Sequence, residues 1–173
     1  MMLDFILYIT ILIAGTGVGY LAARPYENRV IHLDELLLTL KILQAEMEYR
    51  SDPLPDLMER IAGRTTGKAS HFLSTVCQSL GKKDMYDLYE SWKQAVDEVY
   101  GESALASEDK EILSQAGIEL GKTDMANQHA MFAHLFKGLE NQRKEADEER
   151  RKKGRIYRTL GVSSGVLAVI MLL

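Results

Sequence analysis

FILYITILIAGTGVGYLAA, Phe5 to Ala23, is a run of 19 residues without a charged side chain. As a helix it covers about 28 Å, close to the roughly 30 Å of a bilayer's hydrocarbon layer. A cleaved signal peptide is the rival reading, with LAARP as its processing site. Signal peptides carry Lys or Arg ahead of the apolar stretch, whereas this run is preceded by Asp4 and no basic side chain. A retained membrane helix is expected.

Further along, TLGVSSGVLAVIMLL (Thr159 to Leu173) adds 15 uncharged residues, about 22 Å as a helix. With Ile156 and Tyr157 included, and Arg158 snorkelling to the interface, the length approaches that of a span. Each run holds a Gly-x-x-x-Gly, Gly15 to Gly19 and Gly161 to Gly165, a spacing that lets helix backbones approach closely. A packed hairpin of the two spans, or docking onto a larger membrane partner, is expected from the pair of motifs.

Basic residues set the orientation. Arg24 and Arg29 follow the first run; Arg143, Lys144, Arg150, Arg151, Lys152, Lys153, Arg155 and Arg158 precede the second. The positive-inside rule then puts residues 24–158 in the cytoplasm and both termini outside. Residues 140–158 carry 8 basic and 5 acidic side chains, while 24–139 carry 13 and 19. The basic stretch suits an anionic lipid surface. The acidic remainder is repelled by lipid and nucleic acid alike, so its partner is expected to be a protein with a basic face.

Between the spans the apolar residues recur at three and four, never in sustained alternation. Leu33, Leu36, Leu40, Leu43 and Met47 stripe a long helix over 26–50, which Asp52-Pro53 ends. A short helix around Leu57, Met58 and Ile61 follows. Further helices are expected over 66–80, 84–100, 107–120 with Ser107 as cap, and from 124 onward into the basic stretch. The fold class is all-α, an antiparallel six-helix bundle between two terminal transmembrane helices. Its segments are 1–23, 24–139, 140–158 and 159–173.

Chemistry is scarce. The lone Cys77 excludes an intramolecular disulfide and a multi-cysteine zinc site. His129 and His134 stand five apart, off a common helix face, and no metal or cofactor is expected. AGIELGKT (Ala116 to Thr123) fits a relaxed phosphate-loop pattern, yet a helical sequence precedes it, and Ile118, Glu119 and Leu120 are ill-suited to cradling phosphate. LGKKDM (80–85) and LGKTDM (120–125) repeat a corner in which Gly ends one helix in left-handed geometry and Asp caps the next. Glu46 and Glu48 sit at a helix end whose dipole disfavours them. Together with Tyr49, Pro53 and Leu54, and with Gly121 and Asp124 of the second corner, they are the candidate partner-binding residues. The alternatives are a nucleotide hydrolase using Lys122 or a lipid-binding adaptor acting through 140–158.

The chain resembles the stage III sporulation protein AB family. The features that carry the resemblance are Arg24-Pro25 after a membrane helix, LQAEMEY-x-x-DPL (Leu43 to Leu54), G-x-x-LG-x-x-D-x-x-x-Q (Gly117 to Gln128) and the short terminal span. Asp52 stands where that family more often has Thr. The resemblance implies a non-enzymatic component of a secretion-like complex joining mother cell and forespore. It also implies a helical domain similar to that of the type II secretion platform protein, contact with a cytoplasmic secretion-type ATPase and other channel components, and a requirement in late forespore development.

Overall fold

The computed structural model describes residues 2–49, 52–82, 88–120 and 125–172, with side chains from 6–49, 52–81, 88–120 and 128–172. All regular structure among them is helical. Helix α1 (Met2–Tyr49) is followed by α2 (Leu54–Ala62), α3 (Lys68–Lys82), α4 (Leu88–Tyr100), α5 (Ser107–Leu120) and α6 (Met125–Glu149). A π-helical turn (Arg150–Gly154) leads from α6 into α7 (Arg155–Leu172). Pro25 lies inside α1 without ending it. The ring removes the hydrogen bond to the Leu21 carbonyl, and Leu21 is exposed.

The chain divides into two compact units, residues 1–30 with 145–173, and residues 31–144. In the second unit the expected stripe is buried: Leu33, Leu36, Leu40 and Leu43 are almost fully out of solvent. Burying each such leucine contributes about 1.5–3 kcal/mol. Helices α2 and α3, α3 and α4, and α4 and α5 pack as successive neighbours. Phe72 of α3 meets Trp92 of α4 edge-on at 4.8 Å and leans on Tyr100 at 5.9 Å. The Trp92 indole donates to the Leu113 carbonyl of α5 at 2.7 Å, so this aromatic cluster ties three helices together.

The second half of α1 lies antiparallel to α6. Asp34 pairs with Arg143 at 2.9 Å, Lys41 with Glu140 at 3.0 Å, and Glu48 with His129 at 3.3 Å. Partner numbers fall as those of α1 rise, which fixes the direction. These pairs are largely exposed, so they select register more than they stabilise.

Three local expectations are corrected. Gly81 does not end a helix in left-handed geometry, since α3 continues through it to Lys82. A glycine costs only about 1 kcal/mol in a helix, less than neighbouring packing returns. Among the described residues Gly67 alone has positive φ (87°), at the entry to α3. There the Glu35 carboxylate of α1 accepts the Lys68 amide at 3.0 Å, so the helix is capped from a distant element and starts two residues later than expected. Ser107 is not the cap of α5. The Lys110 amide donates to the Ala106 carbonyl at 3.2 Å, and Asp109 accepts the Ala106 amide at 2.8 Å. Asp109, almost wholly buried, reaches back as the acidic half of a capping box.

Candidate functional site

In the first unit the apolar start of α1 lies antiparallel against α7, and the glycines of both motifs meet. A Cβ on Gly15 would fall 2.9 Å from the Gly161 carbonyl oxygen and 3.0 Å from the Gly165 Cα. One on Gly19 would fall 2.7 Å from the Tyr157 carbonyl oxygen and 2.9 Å from the Gly161 Cα. Backbone therefore rests on backbone, with no side chain to yield. Outside this seam the two helices stay apolar and exposed: only 11% of the residues in the most apolar window of each are buried. Ile13, Val18, Leu21, Leu167 and Ile170 are all above 60% or nearly so. Both helices are long and apolar enough to cross a membrane.

At the polar end of this pair, aromatic and charged residues take over from glycine. Tyr26 stacks on Tyr157 at 5.9 Å, Arg158 sits over the Tyr20 ring at 4.7 Å, and Arg158 pairs with Glu27. Arg29 pairs with Glu149 at 3.0 Å, and Lys153 pairs with the same carboxylate. The Lys153 hydrogen bond, aided by both cationic charges, holds the Glu149 carboxyl below its ordinary value. The sequence shows the glycines and the excess of basic residues. It does not show that Glu27 and Glu149 each hold a cation across the pair.

The other candidate region lies in the second unit, where α1 ends and α2 begins. Glu46 does not stand free at the end of α1: the Arg60 guanidinium lies 3.4 Å from it and 3.1 Å from Asp52. Arg60 closes α2, where a cation complements the helix dipole, and it answers both carboxylates. Glu48 accepts from Gln44 at 2.8 Å and faces His129. Tyr49 is 95% exposed, Pro53 occupies the N-cap position of α2, and Leu54 is half-buried. An exposed tyrosine beside carboxylates is a suitable anchor for a protein surface. Gly121 and Asp124 lie outside the described residues.

The phosphate-loop pattern has a structural use in its first half. Ala116 to Leu120 are helical within α5, and Gly117 is buried under Trp92: a Cβ there would meet the indole Cδ1 and Cγ at 2.6 Å. Lys122 and Thr123 lie outside the described residues. Cys77 is half-buried with its Sγ 3.5 Å from the Pro55 carbonyl, and burial pushes its thiol up to about 11. A thiol held protonated is a poor nucleophile. Among the described residues no group of three His, Cys, Asp or Glu could hold a metal ion.

These features define an all-helical protein whose two terminal helices are membrane-length and packed glycine on glycine. The model of the stage III sporulation protein AB family matches residues 4–173, and the chain belongs to that family. It is 26% identical over 172 residues to Stage III sporulation protein AB of Bacillus subtilis (strain 168), covering 99% of this chain and 100% of that one. A solved structure of Stage III sporulation protein AB matches with a TM-score of 0.65 at 25% identity, covering 72% of this chain and 98% of the other.

Proposed function

We propose that this chain is a non-enzymatic, two-pass protein of the mother-cell membrane facing the forespore, with both termini outside and residues 24–158 in the cytoplasm. Its bundle acts as a platform, similar to that of type II secretion, on which a cytoplasmic secretion-type ATPase docks. The assembly forms part of the secretion-like complex required for late forespore development. Membership of the sporulation family supports the setting. The observation that carries the membrane reading is the glycine seam between two exposed apolar helices, with Lys and Arg gathered at one end of them only.

The acidic balance of residues 24–139 favours a partner with a basic face, and the Glu46 to Leu54 corner offers carboxylates beside an exposed Tyr49. Cross-linking in sporulating cells, followed by identification of captured proteins, tests the role. The ATPase and membrane components of the complex are expected with the wild-type chain, and the ATPase is lost with Glu46→Lys/Glu48→Lys. Glu48 is exposed, whereas Glu46 is half-buried against Arg60, so capture is compared only where circular dichroism shows the variant as helical as the wild-type chain. Undiminished capture by the variant removes the corner as a site, and absence of the ATPase from the wild-type sample removes the platform role.

A further inference from the structure

We propose that a groove at the polar end of the α1–α7 pair binds the phosphate of an anionic phospholipid head group. The inference rests on reading these helices as membrane spans. The groove encloses about 410 Å³ and is lined by Glu27, Arg150, Arg151, Arg155, Arg158 and Thr159. Four guanidinium groups therefore face one carboxylate within it. Asp147 takes up Arg150 at 2.6 Å and Arg151 at 2.8 Å, and Glu27 takes up Arg158. Among the described residues no ion pair joins Arg155 to a carboxylate, and the buried Nε of Arg158 has no acceptor. Four guanidinium groups set against the carboxylates of Glu27 and Asp147 leave a net positive charge at the groove.

Arg151, Arg155 and Arg158 share a face at i, i+4 and i+7, and the π-helical turn adds Arg150 to it. Residues five apart stand on different faces of an α-helix, whereas hydrogen bonds of the i→i+5 type bring them into line. Arg150 and Arg155 thus face one groove across the turn at Arg150–Gly154. Planar guanidinium forks match phosphate oxygens two at a time, and the Thr159 hydroxyl at the rim can donate a further bond.

A lipid is favoured over a soluble phosphate by what adjoins the groove. Thr159 opens the uncharged run that continues to Leu173, and Ile156 and Leu160, one turn apart on α7, are 54% and 59% exposed. A head group held by the arginines would lay its acyl chains along that apolar face. Basic pockets beside membrane helices on the cytoplasmic side are suited to such lipids.

The test is native mass spectrometry of the full chain released from micelles doped with phosphatidylglycerol or phosphatidylcholine. Arg155→Gln is compared with Lys152→Gln, which removes the same charge from a side chain paired with Glu148 and outside the groove. Preferential retention of phosphatidylglycerol, reduced about tenfold by Arg155→Gln and less than about twofold by Lys152→Gln, supports the site. Equal losses in the two variants mean diffuse attraction and overturn it. Displacement of the lipid by millimolar glycerol phosphate overturns the lipid assignment in favour of a soluble ligand. Alkaline extraction of the chain from liposomes separates membrane insertion from head-group binding. A chain that is extracted refutes the membrane reading, and one that stays inserted without preferring phosphatidylglycerol refutes the groove alone.

Discussion

Replacing Gly19 by Ala is the most informative small perturbation of the helix pair. The added methyl would stand 2.7 Å from the Tyr157 carbonyl oxygen and 2.9 Å from the Gly161 Cα, against an ordinary contact that begins at 3.4 Å. The helices must therefore separate by about 0.5–0.7 Å at that point. A gap of this size along the seam forfeits roughly a quarter to a half of each dispersion contact it opens. Overpacking of this kind costs about 1–3 kcal/mol, offset by up to about 1 kcal/mol from replacing a helical glycine. A net loss of about 1–2 kcal/mol moves the ratio of packed to splayed hairpin about 5- to 30-fold.

Gly17 supplies the control. It is on the same helix, yet a Cβ there would meet nothing within 4 Å. The Tyr8 hydroxyl approaches the Leu172 carbonyl at 3.4 Å, so pyrene labels at positions 8 and 172, on a Cys77→Ser background, report the pair by excimer emission. In lipid nanodiscs, Gly19→Ala and Gly161→Ala should lower the excimer fraction, and Gly17→Ala should leave it unchanged or raise it. Equal responses at positions 17 and 19 would show that helix propensity, and not close approach, governs the signal.

Gly117→Ala should destabilise the bundle by about 1–2 kcal/mol, since its methyl would press on an indole pinned by the Leu113 carbonyl; the urea midpoint of Trp92 fluorescence measures this, and an unchanged midpoint contradicts it. Burial holds the His32 imidazole below its ordinary value, with Lys68 adding to the effect, Glu35 opposing it and the Tyr100 ring at its edge. The unfolded chain then takes up a proton near pH 6.5 that the folded chain refuses. Stability should fall as pH drops through that value, and the drop in urea midpoint should be shallower in His32→Phe. With its thiol pushed up to about 11 from 9.0, Cys77 should react with iodoacetamide at pH 7.5 about a hundredfold more slowly than an unperturbed thiol; parity with a free peptide thiol would show the burial to be transient.

The fold was legible where one periodic signal dominates. Leu33, Leu36, Leu40 and Leu43 stand at helical spacing and are buried as that spacing demands, and the uncharged terminal runs read as long apolar helices. The start of α3 was not legible, because its cap is the Glu35 side chain of another helix, 33 residues upstream. No local rule covers a cap delivered by tertiary packing. Likewise, Gly117 reads as part of a loop motif, while its use is to leave room for an indole 25 residues earlier. At the candidate corner, Glu46 and Glu48 were readable as carboxylates at an unfavourable helix end. Arg60 and His129, which face them, come from α2 and α6, and only the assembled bundle shows it. In the groove of arginines, Arg151, Arg155 and Arg158 share a face by α-helical counting, whereas Arg150 joins them only through the π turn, which local spacing does not show.

Topology underlies the whole account and can be measured directly. A Cys77→Ser/Glu102→Cys chain carries a single thiol at an exposed position of the bundle. Produced in vegetative bacterial cells, whose membrane faces the medium, and treated with a membrane-impermeant maleimide, it should stay unlabelled while the cells are intact and become labelled once they are permeabilised. Labelling in intact cells would place the bundle outside the cytoplasm, where no cytoplasmic ATPase could reach it.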